Sequence, residues 1–305
     1  MISFSGSAKA EMTRARIAKE LPAAAELYGG LLYASQFDPS GIKIVTESAD
    51  VAARMQALLT RVFGFSFDET DREAKKSSKE TLTLSARDKL LAVLERYGHE
   101  TSGIPVLHLN AAVLEDDECR SSFLRGAFLV GGSVSTPEKD YHLELVTRHF
   151  HLSRELVALL LDMEFTPKSA VRKSNYVTYF KDSEQIEDFL TVCGAPASAL
   201  ELMEQKVEKD LRNRINRRVN CETANLGKAV NAAQEQIFAI RKLERLGLLA
   251  SLPEKLRATA DLRLSHPEAT LGELLALSSD PISRSGLNHR LTKLVSLAAD
   301  TPDTE

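Results

Sequence analysis

The residues best suited to chemistry lie near the C-terminal end. From Arg284 to Leu297 the chain carries Arg284, Arg290 and Lys293 but no carboxylate. At about 100° per residue from Leu287, the outward positions of a helix here are Ser285, His289, Thr292 and Ser296, flanked by Asn288, Arg290 and Lys293. These groups bind rather than cleave. Arg284, Arg290 and Lys293 suit phosphate oxygens, while Ser285, Asn288 and His289 suit base edges. A second basic set, Arg212, Arg214, Arg217 and Arg218, joins Lys206 and Lys209 over 206–218, where the acids are Glu208 and Asp210.

Such a reader must be positioned by neighbouring helices. A first helix, Pro253 to about Ser265, carries Leu256, Ala260 and Leu264 on one face. Thr270-Leu271-Gly272-Glu273 is a capping box, starting a short helix with Leu271, Leu274 and Leu275 inward. After the turn Ser278-Ser279-Asp280-Pro281, Ile282 anchors, Ser283 caps, and Leu287, Leu291 and Leu294 form the buried stripe of a recognition helix. The pattern is that of a helix-turn-helix. A three-helix unit built only for protein contacts stands as the alternative.

Upstream, from about residue 198, Leu200, Met203, Val207, Leu211 and Ile215 recur at helical spacing, with basic residues filling the other faces. A solvated amphipathic helix and a phosphate-contacting one fit equally well. Asn220-Cys221-Glu222-Thr223-Ala224-Asn225 offers cap residues, predicting a break before a second helix over about 226–246 that ends near Gly247.

The N-terminal part is a duplication. Leu27-Tyr28-Gly29-Gly30-Leu31-Leu32-Tyr33-Ala34 pairs with Leu124-Arg125-Gly126-Ala127-Phe128-Leu129-Val130-Gly131 at an offset of about 97. Helix 22–34, strand 42–46, helix 49–63, short segments near 65–70 and 80–84, and helix 86–97 make the first copy. Helix 120–131, strand 141–147, helix 152–163, a hairpin over 168–181 around Lys173-Ser174-Asn175, and helix 183–192 make the second. The charged run 71–79 reads as a solvated hairpin tip. Gly29 and Gly126 would let two helices meet backbone to backbone, at a cost of roughly 1 kcal/mol each against Ala. Gly131-Gly132 reads as a helix C-cap. The fold class is α+β: a pseudo-twofold unit on two sheets over 1–195, a basic helical connector over 196–250, and an all-α helix-turn-helix over 251–305.

Composition narrows the function further. Residues 1–200 carry 23 Lys and Arg against 28 Asp and Glu, whereas 206–298 carry 16 against 10, so a basic field belongs to the C-terminal third. With no Trp, an aromatic platform for single strands is disfavoured. Cys119, Cys193 and Cys221 are too scattered for a zinc cluster or a disulfide framework. No stretch approaches the roughly 20 apolar residues that span a bilayer. No cofactor, membrane or small-molecule substrate is expected, and the chain is expected in the cytoplasm.

Residues 20–195 resemble a LAGLIDADG homing endonuclease in its duplicated form. In that family an Asp or Glu ends each motif helix and holds the catalytic metal ions. Here those positions carry Ala34 and Gly131, and the neighbouring Ser35, Gln36, Gly132 and Ser133 are not acids, so the carboxylate oxygens are missing. The run Arg212-Asn213-Arg214-Ile215-Asn216-Arg217-Arg218-Val219-Asn220-Cys221-Glu222-Thr223-Ala224-Asn225, with Ser3-Phe4-Ser5, is similar to the WhiA family of bacterial regulators. That resemblance implies a non-enzymatic, nucleoid-associated transcription regulator of cell division, chromosome segregation or sporulation genes. It also implies double-stranded promoter DNA as partner and, in actinobacteria, a WhiB-type iron–sulfur regulator. The competing readings are a metal-dependent endonuclease with displaced acids and a protein-interaction scaffold.

Overall fold

A computed structural model describes residues 3–16, 19–72, 79–101, 106–135 and 140–302, in two compact units, 1–209 and 210–305. The duplication governs the first unit. After α1 (Phe4–Met12), capped by Ser3, the first copy runs α2 (Glu20–Leu32), β1 (Gln36–Asp38), β2 (Gly41–Thr46), α3 (Ala49–Phe63), β3 (Glu69–Arg72), β4 (Glu80–Leu84) and α4 (Arg87–Arg96). The second runs α5 (Asp117–Gly131), β5 (Gly132–Val134), β6 (Leu143–Thr147), α6 (Phe150–Asp162), β7 (Lys168–Arg172), β8 (Asn175–Phe180) and α7 (Ser183–Val192).

Each copy forms one antiparallel four-stranded sheet, in the orders β1-β2-β4-β3 and β5-β6-β8-β7. Registers match as well: Ile42 faces Leu84 as Leu143 faces Phe180, and Thr46 faces Glu80 as Thr147 faces Tyr176. Even a turn bond is repeated. Thr46 Oγ1 accepts the N–H of Ser48 at 3.2 Å, and Thr147 Oγ1 that of His149 at 3.2 Å. The expected α+β architecture is therefore present. The run 71–79 read as a hairpin tip falls largely on 73–78, outside the described residues.

The two copies meet along α2 and α5. A Cβ at Gly29 would lie 2.9 Å from Ala127 N and collide with the carbonyl of Phe123; one at Gly126 would lie 3.0 Å from Gly30 N and collide with the carbonyl of Glu26. Each glycine thus faces the two positions equivalent to those facing the other. Close approach is what these glycines allow. The C-cap reading of Gly131-Gly132 holds, with Gly132 as the cap residue and its N–H donating to the Phe128 carbonyl. The cap is extended rather than left-handed, at φ −99°, because Gly132 also opens β5.

Beside the seam a carboxylate is fully buried. Glu26 Oε1 accepts from Arg54 Nε at 2.7 Å, and Oε2 accepts from Arg54 Nη2 at 2.8 Å and Arg125 Nε at 3.0 Å. Arg54 also donates to the carbonyls of Thr13 and Ala15, and Arg125 to Ser122 Oγ. Such satisfaction is needed to offset removing three charges from water.

The expected break in the connector is absent. α8 (Pro196–Arg245) is one continuous helix and includes Asn220–Asn225. Asn and Thr are only weakly unfavourable inside a helix, no Pro interrupts it after its first residue, and Arg218 reaches Glu222 one turn on at 2.9 Å. The helix closes at Gly247, φ 71°, as expected.

In the second unit, α9 (Glu254–Ser265), α10 (Leu271–Leu277) and α11 (Arg284–Ala299) build two small cores. Leu274, Leu287 and Leu291, with Ile282 packed against them, join α10 to α11. Leu256, Ala260, Leu294 and Ala298 pack with Ala239, Ile240 and Leu243, so the last turns of α8 belong to this bundle.

Candidate nucleic-acid interface

The local chemistry of the second unit begins at its caps. Thr270 Oγ1 accepts the N–H of Glu273 at 3.3 Å, and Glu273 Oε2 accepts that of Thr270 at 2.7 Å, the capping box read from sequence. Those hydrogen bonds hold the Glu273 carboxyl below its ordinary range. At the start of α11, Ser283 Oγ accepts the N–H of Gly286 at 3.2 Å. Ile282 sits so near Gly286 that a Cβ there would lie 2.9 Å from Ile282 Cγ1. The turn is therefore held by both a cap and an apolar anchor.

α11 divides as its sequence pattern predicts. Leu287, Leu291 and Leu294 are buried, while Ser283, Arg284, Ser285, Asn288, His289, Thr292 and Lys293 are exposed along the helix and at its start. Thr292 Oγ1 donates back to the Asn288 carbonyl at 2.9 Å, which leaves its methyl and oxygen lone pairs for other contacts.

Arg290 behaves differently. Its Nη1 lies 2.7 Å from Asp280 Oδ2 and its side chain is only 21% exposed. The pair bridges the turn to the second turn of α11, so the guanidinium braces that helix. The bundle interior uses another arginine in a similar way: Arg263, 3% exposed, donates from Nη1 to the Ala269 carbonyl at 2.6 Å and fixes the loop before α10.

The basic residues of α8 lie on open helix. Residues 211–232 are exposed without exception, including Arg212, Arg214, Arg217 and Arg218. Arg218 is engaged with Glu222. Exposure extends to the apolar positions Leu211 and Ile215, 58% and 53% exposed, so the apolar stripe is not packed there.

At the motif-helix ends, Ala34 lies beyond α2 and partly packs on the core, and Gly131 is the last residue of α5. A Cβ at Gly131 would lie 2.8 Å from Tyr33 Cβ and 2.9 Å from Tyr33 Cγ. The Tyr33 ring occupies the space into which a side chain at 131 would project. Its hydroxyl is buried with no hydrogen-bond partner among the described residues, and burial pushes it well above the ordinary tyrosine range. Among the described residues, no three His, Cys, Asp or Glu side chains converge as a metal site.

Two family models cover much of the chain: the WhiA LAGLIDADG-like domain over residues 120–212 and the WhiA C-terminal HTH domain over 215–298. A protein named "Probable cell division protein WhiA" from Clostridium botulinum is 38% identical over 94% of this chain and 93% of its own. Its namesake from Staphylococcus haemolyticus is 38% identical over 97% and 96%. The chain belongs to the WhiA family. The crystal structure of full-length WhiA from Thermotoga maritima shares the fold, with a TM-score of 0.60 and 23% identity over 99% of this chain and 100% of that one.

WhiA membership accounts for both halves: a LAGLIDADG-like unit and a helix-turn-helix. Two residues with a part in this architecture were not singled out from sequence. The sequence marks Asp280 only as a turn residue; an acid ten positions before an arginine across a turn is the available signal. The sequence marks Tyr33 only as part of the repeat. Its partner Val130 in the second copy marks it as a place where the repeats diverge. No helix among the described residues is long and apolar enough to cross a membrane.

Proposed function

We propose that this WhiA-family chain is a sequence-specific DNA-binding transcription regulator without nuclease activity. The observation that carries the reading is the exposed face of α11, which presents Arg284, Ser285, Asn288, His289, Thr292 and Lys293 with no carboxylate along the helix. Laid in a major groove, that face would put Arg284 and Lys293 near phosphates and Ser285, Asn288 and His289 near base edges. Ser283 caps the helix, and Arg290 serves by bracing it. Arg212, Arg214, Arg217 and Arg218 supply further phosphate contacts from α8.

The regulated genes are those of cell division, chromosome segregation or sporulation, read at promoters in the nucleoid of the cytoplasm. The acidic first unit serves as a platform for a partner protein, with a WhiB-type iron–sulfur regulator as the candidate. Genome-wide DNA co-precipitation defines the operator, and a gel-shift titration on it tests the helix. Arg284→Ala combined with Lys293→Ala should weaken binding about tenfold or more, and affinity should fall steeply with salt. Parental affinity in the double variant would refute the assignment.

A further inference from the structure

The duplicated unit has one groove that its own symmetry does not require. Between α6 and the edge strand β7 lies a cleft of about 650 Å³, lined by Phe150, Val157, Leu161, Val171 and Tyr176, with Arg154 at its side. Val171, Leu161 and Phe150 are 69%, 56% and 45% exposed. Apolar surface of this kind, left open along one cleft, commonly marks a binding site.

The first copy provides the control. The matching turn bonds at Thr46 and Thr147 align α3 with α6, and the strand registers align β3 and β4 with β7 and β8. Phe150, Val157, Leu161, Val171 and Tyr176 then correspond to Ala49, Gln56, Thr60, Arg72 and Glu80. Gln56 and Thr60 are hydrogen-bonded to each other at 3.2 Å. The same scaffold is thus built with small, polar and charged residues in one copy, so the apolar cleft of the other is not a condition of folding.

The strand beside the cleft is open. All five residues of β7 are exposed, and β7 ends the sheet order. Lys173 and Ser174, at φ 47° and 64°, form the two-residue turn that pairs Arg172 with Asn175. Hydrogen-bonded and non-bonded pairs alternate from that turn, so the backbone N–H and C=O of Val171 and Ser169 point away from β8. Outward backbone groups and an apolar cleft therefore lie along the same edge.

Charge selects the occupant. Lys168 and Arg172 stand at the two ends of the strand, Arg172 reaching Glu144 Oε2 at 3.4 Å while its side chain stays 62% exposed; Lys173 follows in the turn, and the lining of the cleft includes Arg154 but no carboxylate. The patch is basic on a unit whose first 200 residues are net acidic.

We infer that β7 and α6 bind an extended acidic segment of a partner protein, which adds a strand to the sheet beside β7. Alternate apolar side chains of that segment enter the cleft against Leu161 and Val171, and its carboxylates face Lys168 and Arg172. This rests on the reading of the first unit as a partner platform and is independent of the DNA-reading helix.

The test uses the full chain and fluorescein-labelled decapeptides that alternate Val, Ile or Phe with Asp or Glu, followed by anisotropy. Binding is expected, and Val171→Pro should weaken it about tenfold or more, because it deletes an outward N–H while sparing the ladder to β8. Leu161→Glu, which leaves the strand untouched, should do the same, and far-ultraviolet circular dichroism confirms that both variants fold. Lys-substituted peptides should not bind. Absence of binding by every acidic peptide, or equal binding of Lys-substituted ones, would overturn the inference. Binding unchanged in both variants would overturn the groove while leaving a partner platform standing. Peptide-independent self-association abolished by Val171→Pro would show instead that the edge pairs with a second copy.

Discussion

Tyr33 lies across Gly131, its Cβ 2.8 Å from where the first side-chain carbon of any larger residue would stand. The repeat motif's resemblance to homing endonucleases implies a metal-binding acid at this position. Here the same space is filled by a ring. Gly131→Asp should therefore lower thermal stability, by about 1–3 kcal/mol through overpacking. It should not confer cleavage of supercoiled DNA in Mg²⁺ or Mn²⁺, since Ala34 supplies no second acid. Metal-dependent nicking by the parent chain, surviving repurification, would contradict the non-enzymatic reading.

Backbone contact at the seam makes a sharper stability prediction. Gly126→Ala places a methyl against the Glu26 carbonyl, and Gly29→Ala places one against Phe123. Neither obstacle is a flexible side chain, so each variant should lose about 3 kcal/mol or more in chemical denaturation. Gly227→Ala, at a position with nothing within 4 Å, should instead be neutral or stabilising.

Glu26→Gln should cost about 3 kcal/mol or more, because it leaves Arg54 and Arg125 facing each other with a neutral amide in a buried site. Removing all three charges together with apolar residues of similar volume should cost less than the single change. Denaturation midpoints of the single and triple variants decide this.

The Asp280–Arg290 pair, with the proposed DNA-reading face of α11, predicts a separation of roles along that helix. Asp280→Ala and Arg290→Ala should each lower the melting temperature modestly, and together less than additively, with a coupling of about 0.5–1 kcal/mol. Arg284→Ala should leave melting unchanged and weaken DNA binding. A gel-shift and a melting curve on each variant suffice.

An acid-stability prediction concerns Asp68. It accepts from Lys89 Nζ at 2.6 Å and from the Ser85 and Ala86 N–H groups at 2.7 Å, which lowers its pKa from 3.8 to about 2. Because the folded value lies below the unfolded one, its stabilisation is present above about pH 3.8 and is lost as pH falls through about 2. The melting difference between the parent and Asp68→Asn should shrink across that window.

Much of the fold was legible because its signals are local. α3 and α7 occupy the spans expected from periodicity, and the Thr270–Glu273 box and the Ser283 cap depend on residues three apart. β1 and β5 escaped because each is three residues long, too short for alternation to register, and β5 follows α5 without a break. The continuity of α8 escaped for the opposite reason: cap-forming residues are permissive signals, and nothing nearby competes with the helix. On the candidate site, exposed and buried faces of α11 followed from its period. The engagement of Arg290 did not, because it depends on the path of a turn.

The buried triad also bears on the history of the duplication. By the repeat offsets, Glu26, Arg54 and Arg125 correspond to Phe123, Glu155 and Tyr28, so the polar set has no counterpart across the seam. Tyr28 and Phe123 instead lie ring to ring, 5.9 Å apart. A self-paired first copy would bury Glu26 without Arg125, and a self-paired second copy would set Arg125 against an aromatic ring. Neither half carries the residues that would rebuild this triad against a copy of itself.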